Sequence, residues 1–283
     1  MPELPEVEAI RLQLEKYLKG HKIENVQVNV PKIFSGDPKN VVGAEFLVVR
    51  RFAKVLSIDL SNGFSIVIHI KLTGQLIYRG PNLKAVPELS KKVTGGVPGR
   101  HTHIIFDLDK NGLLYYNDVR RFGWLRVIKT SEVEKTGFVG KLGPEPFGKL
   151  TLPIFKEILS KTKRAIKVVL MDQGKIGGVG NIYANDALWL SKINPKKPAN
   201  ELTEAETKSL YDSIHKVLKA GMKYGGASEL AFVTPNGKEG EYQKHTLTYG
   251  REGEPCERCH KAKITKFFLS GRGTYFCPIC QPA

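Results

Sequence analysis

All four cysteines of this chain lie close to its C-terminus, and their spacing constrains the fold more than any other feature. Cys256, Cys259, Cys277 and Cys280 form the pattern C-x2-C-x17-C-x2-C. Each pair can turn two thiolates toward one point, and two such knuckles build a closed tetrahedral site for one structural Zn2+ ion. Two disulfides or free thiols are the alternative uses. Disulfides fit poorly with a chain whose Met1 leads straight into acidic and apolar residues, without a secretory signal. The same observation sets the expectation of a cytoplasmic protein. Between the knuckles, Lys266–Phe276 alternates around Ser270-Gly271-Arg272-Gly273. That pattern reads as a β-hairpin with a tight turn, lifting Arg272 to the tip. An arginine placed there is either a solvated turn residue or one that reaches a phosphate.

The formal charge of +16 points to a polyanionic partner, nucleic acid ahead of anionic lipid. No segment is a basic tail, so folding must assemble the basic surface. The apolar runs, such as Phe64–Ile70, are strand-sized and too short to span a membrane.

The pattern predicts an α+β multidomain chain. Residues 5–18 carry a helical stripe of Val7, Ile10, Leu14, Tyr17 and Leu18. Strands are expected at 23–30, 45–51, 54–60, 64–70, 76–79, 103–108, 113–117 and 124–127, together forming a β-sandwich. Gly80–Gly99 reads as a loop. The expected divisions are an N-terminal β-sandwich domain (1–133), a linker (134–150) and a helical domain (151–225). A mobile loop (226–245) and the cysteine-bearing finger (246–283) follow. Helices are expected at 152–160, 163–171, 181–190 and 204–224, with Thr203 and Glu206 forming a capping box for the last.

Three segments carry chemistry-bearing residues. Met1-Pro2-Glu3-Leu4-Pro5-Glu6 opens the chain. Proline and early glutamates suit the first turn of a helix. With Met1 removed, Pro2 would also be a secondary amine able to form an iminium ion, with Glu3 and Glu6 as nearby acids and bases. Gly177-Gly178-Val179-Gly180-Asn181 is a glycine turn opening a helix. It serves either close helix packing or a phosphate cradle, with Lys167 upstream adding charge. Val119-Arg120-Arg121-Phe122-Gly123 is either a strand start with a core Phe or a loop that enters stacked bases. His69-Ile70-Lys71-Leu72 makes a second basic-apolar turn, and His101 and His103 flank another strand start.

Taken in order, these motifs resemble the formamidopyrimidine-DNA glycosylase family. The resemblance includes Pro-Glu-Leu-Pro-Glu-Val-Glu at the start, Arg50-Arg51-Phe52-Ala53-Lys54, Asp118–Gly123, Leu142–Pro146, Gly178–Tyr183, Tyr249-Gly250-Arg251 and the four-cysteine finger. It implies an N-terminal β-sandwich with an N-terminal helix, a helix–two-turns–helix domain and a β-hairpin zinc finger holding one structural Zn2+. It implies a monomer acting on damaged double-stranded DNA, removing oxidised purines and cleaving the strand by β- and δ-elimination. Pro2 would be the nucleophile, Glu3 the acid/base and Glu6 a support. Lys54 would bind phosphate and assist elimination, and Arg272 would grip the flanking phosphates. DNA contacts are expected from His69, His101, Arg120 (facing the opposite base), Phe122 (the wedge), Leu72, Lys167, Asn181 and Tyr242. Leu72 stands where many relatives carry a Met. The loop 226–245 would cap the flipped base. The related endonuclease VIII type, acting on oxidised pyrimidines, usually begins Pro-Glu-Gly-Pro-Glu, so Leu4 favours the purine branch. A non-catalytic binder of damaged DNA is the further alternative.

Overall fold

The computed structural model describes residues 1–282 and divides into two compact units. Unit 1 comprises Met1–Lys141 and Met222–Gln243; unit 2 comprises Leu142–Gly221 and the chain from Lys244 onward.

Unit 1 opens with helix α1 (Leu4–Leu18), followed by strands β1 (Ile23–Val28), β2 (Phe34–Ser35), β3 (Phe46–Phe52), β4 (Val55–Leu60), β5 (Phe64–His69), β6 (Gly74–Arg79), β7 (Thr102–Leu108), β8 (Gly112–Asp118) and β9 (Trp124–Lys129). They form a five-stranded sheet in the order β2-β9-β5-β4-β3 and a four-stranded sheet in the order β1-β7-β8-β6. All pairings are antiparallel except the short β2–β9 pair. The alternation seen in the sequence points one face of each strand inward. Ile58, Ile66, Ile68 and Leu125 share one core with Leu76, Ile104, Phe106 and Leu114, and Val7, Ile10 and Leu14 of α1 join it. Burying each such side chain contributes about 1.5–3 kcal/mol. Strand β4 is buried along its whole length because its other face is covered too, by Val133 and Val139 packed on Val55 and Val67. On that face Asp59 accepts from the hydroxyls of Ser57 and Ser65 at 2.9 and 2.7 Å and forms an ion pair with Arg50 at 2.6 Å.

The division between the units falls at Lys141/Leu142, within the stretch 134–150 expected as a linker, and its side chains join the units, with Val139 buried in unit 1 and Leu150 in unit 2. One expectation needs correction here. The segment 226–245 is packed rather than mobile over most of its length. Phe232, Val233 and Tyr242 are buried, and Tyr78 of edge strand β6 donates its N–H to Pro235 O at 2.8 Å. Gln75 reaches Ala231 O at 2.6 Å. A polar segment can be ordered this way because its backbone groups satisfy an otherwise open sheet edge.

Unit 2 holds helices α2 (Leu152–Ser160), α3 (Ile166–Met171), α4 (Asn181–Leu190) and α5 (Glu204–Lys223), the last of which runs on into unit 1, and the hairpin β10 (Thr265–Leu269) and β11 (Arg272–Phe276). Helix α3 starts three residues later than expected. Residues before it pair with the chain near Pro198, through Ala199 N–H to Arg164 O at 3.0 Å and Ile166 N–H to Lys197 O at 2.8 Å. The expected capping box is formed: Thr203 N–H donates to Glu206 at 2.8 Å and Glu206 N–H to Thr203 Oγ1 at 3.2 Å. Among the described residues, no helix is long and apolar enough to cross a membrane.

Candidate active site and nucleic-acid interface

Pro2 and Glu3 are buried at the start of α1, and Glu3 is its N-cap. The helix-start reading of these residues is therefore realised, through a capping box in which Glu6 accepts the Glu3 N–H at 2.7 Å. The other oxygen of Glu6 accepts the N–H of Ala227 at 2.7 Å. Gly226 must be glycine there, because it has φ +86 and an added Cβ would lie 2.8 Å from Glu6 Cγ. Glu6 is 1% exposed, and it pins the N-terminus to the returning segment of unit 1.

Lys54 sits in the two-residue turn between β3 and β4, after Ala53 at φ 51, and it is buried. The turn is tied to α1 by a pairing, between two of the sequence motifs, that the sequence alone does not announce. Arg51 donates to the Ala53 carbonyl at 3.1 Å and to Glu8 at 2.8 Å. Burial opposes ionisation of Glu8, but its bonds to Arg11 and Arg51 hold its pKa below the usual carboxylate value. The charge of Lys54 is felt at His69. Burial first, then Lys71 and Lys54, lower the His69 pKa to about 3, so the ring is neutral at physiological pH. Its Nδ1 accepts the Lys71 N–H at 3.1 Å, which leaves the proton on Nε2 as a donor.

A second cluster forms where the β5–β6 and β8–β9 turns meet. Arg120 and Phe122 are exposed, Phe122 by 56%, and the Arg120 guanidinium lies 4.6 Å from the Phe122 ring centre. The strand-start reading with a core Phe is thus excluded. Leu72 lies half-buried in the neighbouring turn, whose Lys71 has φ 49. Buried Asp118 accepts from the Gly123 N–H at 2.8 Å, the Arg120 N–H at 3.2 Å and the Thr73 hydroxyl. His101 is half-buried beside Arg100; burial, then Arg100, His103 and Arg121, keep its pKa below the usual histidine value.

In unit 2 the glycine turn is held by one side chain. Gln173 donates to Val179 O at 2.7 Å and accepts the Gly178 N–H at 3.0 Å. It delivers Asn181 to the start of α4, where the amide donates to Gly273 O at 3.1 Å. The Ser270-Gly271 turn has positive φ at both residues, 48 and 72, as a type I′ hairpin requires. Arg272 is exposed at the first position of β11, opposite Leu269, at the tip as expected. Lys167 differs from expectation. It is 1% exposed and donates to Gly273 O and Thr274 Oγ1, each at 2.8 Å, so its ammonium braces the hairpin from beneath. Lys167, Arg164, Ser270 and Arg272 line a cavity of about 230 Å3. Tyr242, expected on the DNA surface, is 1% exposed inside unit 1.

The four cysteine sulfurs all lie within 4.8 Å of one another, with Cys256–Cys280 at 3.8 Å and Cys259–Cys277 at 3.7 Å. A tetrahedron with metal–sulfur bonds of about 2.3 Å has edges of about 3.8 Å, so the donor set fits one thiolate-bound metal ion. It does not fit disulfides, whose sulfurs sit at about 2.05 Å. Packed together, the sulfurs resist joint ionisation. Burial and the neighbouring sulfurs push Cys280 up to about 12. Burial also opposes the Cys256 thiolate, but the Cys259 N–H and the Trp189 indole draw its pKa to about 6. The Trp189 Nε1–H lies 3.4 Å from Cys256 Sγ. The guanidinium of Arg258 stacks 4.0 Å from the Trp189 ring centre and donates to Trp189 O at 2.8 Å.

Two family models match the chain. One, described as the formamidopyrimidine-DNA glycosylase N-terminal domain, covers residues 1–125, and the other, the formamidopyrimidine-DNA glycosylase H2TH domain, covers 142–232. The formamidopyrimidine-DNA glycosylase of Lactiplantibacillus plantarum is 38% identical over 286 residues, 99% of either chain. That of Heliobacterium modesticaldum is 37% identical over 287 residues, 99% of this chain and 100% of its own. The wild-type Lactococcus lactis Fpg (MutM), solved with DNA containing N7-benzyl-Fapy-dG, aligns with a TM-score of 0.86 and 34% identity over the whole of both chains. The Lactococcus lactis Fpg complex with DNA containing an abasic site aligns with a TM-score of 0.86 and 33% identity over 99% of this chain and 100% of that one.

Proposed function

Since the chain belongs to the formamidopyrimidine-DNA glycosylase family, we propose that it is a bifunctional DNA glycosylase and abasic-site lyase acting, as a monomer, on oxidised purines in duplex DNA. The observation that carries this reading is the N-terminus. Pro2 and Glu3 are buried and fixed through Glu6, and the Lys54 turn is tied to the same helix through Arg51 and Glu8.

In the proposed reaction the damaged nucleotide is flipped out of the stack, at a cost of roughly a few kcal/mol. Arg120, Phe122 and Leu72 fill the gap and offset that cost, with Arg120 facing the opposite cytosine. The Pro2 nitrogen, freed of Met1, bonds to C1′ as the C1′–base bond breaks and the base leaves with a proton. Glu3 protonates the sugar ring oxygen, and the ring opens to an iminium ion. The iminium acidifies the C2′ proton. Its loss breaks the C3′–O bond, and a second elimination breaks the C5′–O bond. Lys54 assists these proton transfers, and water then releases Pro2. The Nε2–H of His69, His101, Asn181 and Arg272 supply contacts to the DNA backbone, Lys167 supports the tip that carries Arg272, and Tyr242 belongs to the segment that packs near the flipped base.

Cys256, Cys259, Cys277 and Cys280 would hold Zn2+, which supplies folding energy to the finger and takes no part in bond making. Borohydride added to protein and duplex DNA containing 8-oxoguanine should trap a covalent adduct on Pro2, located by peptide mass spectrometry. An adduct elsewhere, or full-rate trapping by protein that retains Met1, would refute the assignment.

A further inference from the structure

Buried Asp118 has both carboxylate oxygens and both backbone groups engaged. Oδ1 accepts from the Thr73 hydroxyl and the Arg120 N–H, and Oδ2 accepts from the Gly123 N–H at 2.8 Å and the Tyr116 hydroxyl at 3.4 Å. Its own N–H donates to His101 O at 3.0 Å, and its carbonyl accepts from His103 at 2.7 Å. Thr73 Oγ1 in turn accepts the Arg120 N–H at 3.1 Å. The pinch is sterically closed as well, because a Cβ on Gly123 would overlap the Tyr116 hydroxyl and one on Gly74 would lie 2.7 Å from it. One carboxylate therefore joins the turn that carries Leu72 to the loop that carries Arg120 and Phe122.

We propose that Asp118 is the positioning residue that makes these two turns a single rigid cassette, so that filling the gap and reading the opposite base occur together or not at all. This rests on the reading of Arg120, Phe122 and Leu72 given above. Arg120 is exposed and, among the described residues, its guanidinium stacks on Phe122 of the same loop, so its register depends on the backbone of that loop. That backbone is set by Asp118. Discrimination between opposite bases is a hydrogen-bond geometry effect, and such geometry is lost with small backbone shifts.

Asp118→Asn tests the idea with little change of shape. An amide offers one oxygen, so whichever way it turns, one of the two donor pairs faces an NH2 group. The measurement is single-turnover excision of 8-oxoguanine opposite cytosine and opposite adenine, alongside borohydride trapping on a single-stranded abasic site, which needs neither wedge nor opposite base. D118N should lower the cytosine-to-adenine rate ratio about tenfold while abasic-site trapping stays within about twofold. Thr73→Val, which removes one donor and spares the buried carboxylate, should move the ratio the same way by about threefold, and it carries the test if D118N does not fold. An unchanged ratio in the folded variants, or equal loss on all three substrates, overturns the proposal. Failure of the wild-type protein both to excise 8-oxoguanine and to trap the abasic site would instead refute the bifunctional glycosylase and lyase reading itself.

Discussion

Replacing Glu6 with Gln puts the anchoring of the N-terminus to a quantitative test. The carboxylate accepts two N–H groups, from Glu3 and Ala227, each at 2.7 Å. Hydrogen bonds to a buried charge contribute about 1.5–3 kcal/mol each. Gln keeps one acceptor oxygen and turns its NH2 toward the other N–H, so one bond is lost and donors face each other. The cost is about 2–4 kcal/mol. If the whole fold bears it, the melting temperature falls by about 5–10 °C. If the first turn of α1 detaches locally, the amine is in place for a smaller fraction of the time. A 3 kcal/mol penalty then corresponds to a trapping rate about 100-fold lower. Thermal melts and single-turnover borohydride trapping on abasic-site duplex separate the two. Affinity for undamaged duplex should hold within about threefold, because the proposed phosphate contacts at His101, Asn181 and Arg272 do not involve Glu6. Wild-type trapping together with an unchanged melt would refute a role for Glu6 in fixing the proposed nucleophile.

Cys277→Ser should lower zinc content, read by elemental analysis, and weaken duplex binding more than tenfold, roughly, before it affects trapping at saturating protein; a metal-free variant that binds DNA normally would contradict this. The folded-state pKa of His69, about 3, lies below its unfolded value. The unfolded chain therefore takes up the proton first, and stability is present above about pH 6.5 and lost as pH falls toward 3. Urea melts at pH 7.5 and pH 5, roughly, should show His69→Gln losing less stability than wild type, and parallel losses would dismiss the assignment. Arg272→Ala should reduce the log–log salt slope of DNA binding by about 0.9, whereas Lys167→Met should weaken binding with little change of slope. A full one-charge change for Lys167 would place its ammonium on a phosphate after all.

Local signals were readable in the sequence, and long-range ones were not. The Ser270-Gly271 turn and the Thr203–Glu206 box depend on residues a few positions apart, the two cysteine knuckles are joined by one hairpin, and each formed as expected. Alternation marked most strands, but β2 is two residues long and has no period to detect. Lys167 reads as a surface cation because nothing nearby in sequence announces Gly273 and Thr274, more than 100 positions away. Polarity suggested mobility for 226–245, while its order comes from backbone bonds to β6 and Glu6. Asp118 was visible only as part of a motif, and its partners Thr73 and His103 come from other strands and turns.

Helix α4 meets the finger at both ends. At its start, Asn181 holds Gly273 and Asn185 accepts the Tyr275 N–H at 2.8 Å; at its end, Trp189 touches Cys256 and Arg258 clasps the last carbonyls. Midway, Asp186 accepts the N–H of Thr248 at 2.9 Å. The finger is consequently not an interchangeable cassette. A chimera that imports a foreign hairpin and knuckles must bring residues 181–190 with them, or it severs five side-chain attachments at once. Sequence drift in this part of the lineage should be correlated across the gap between residue 190 and residue 248, and a recombination breakpoint placed within that gap would be costly.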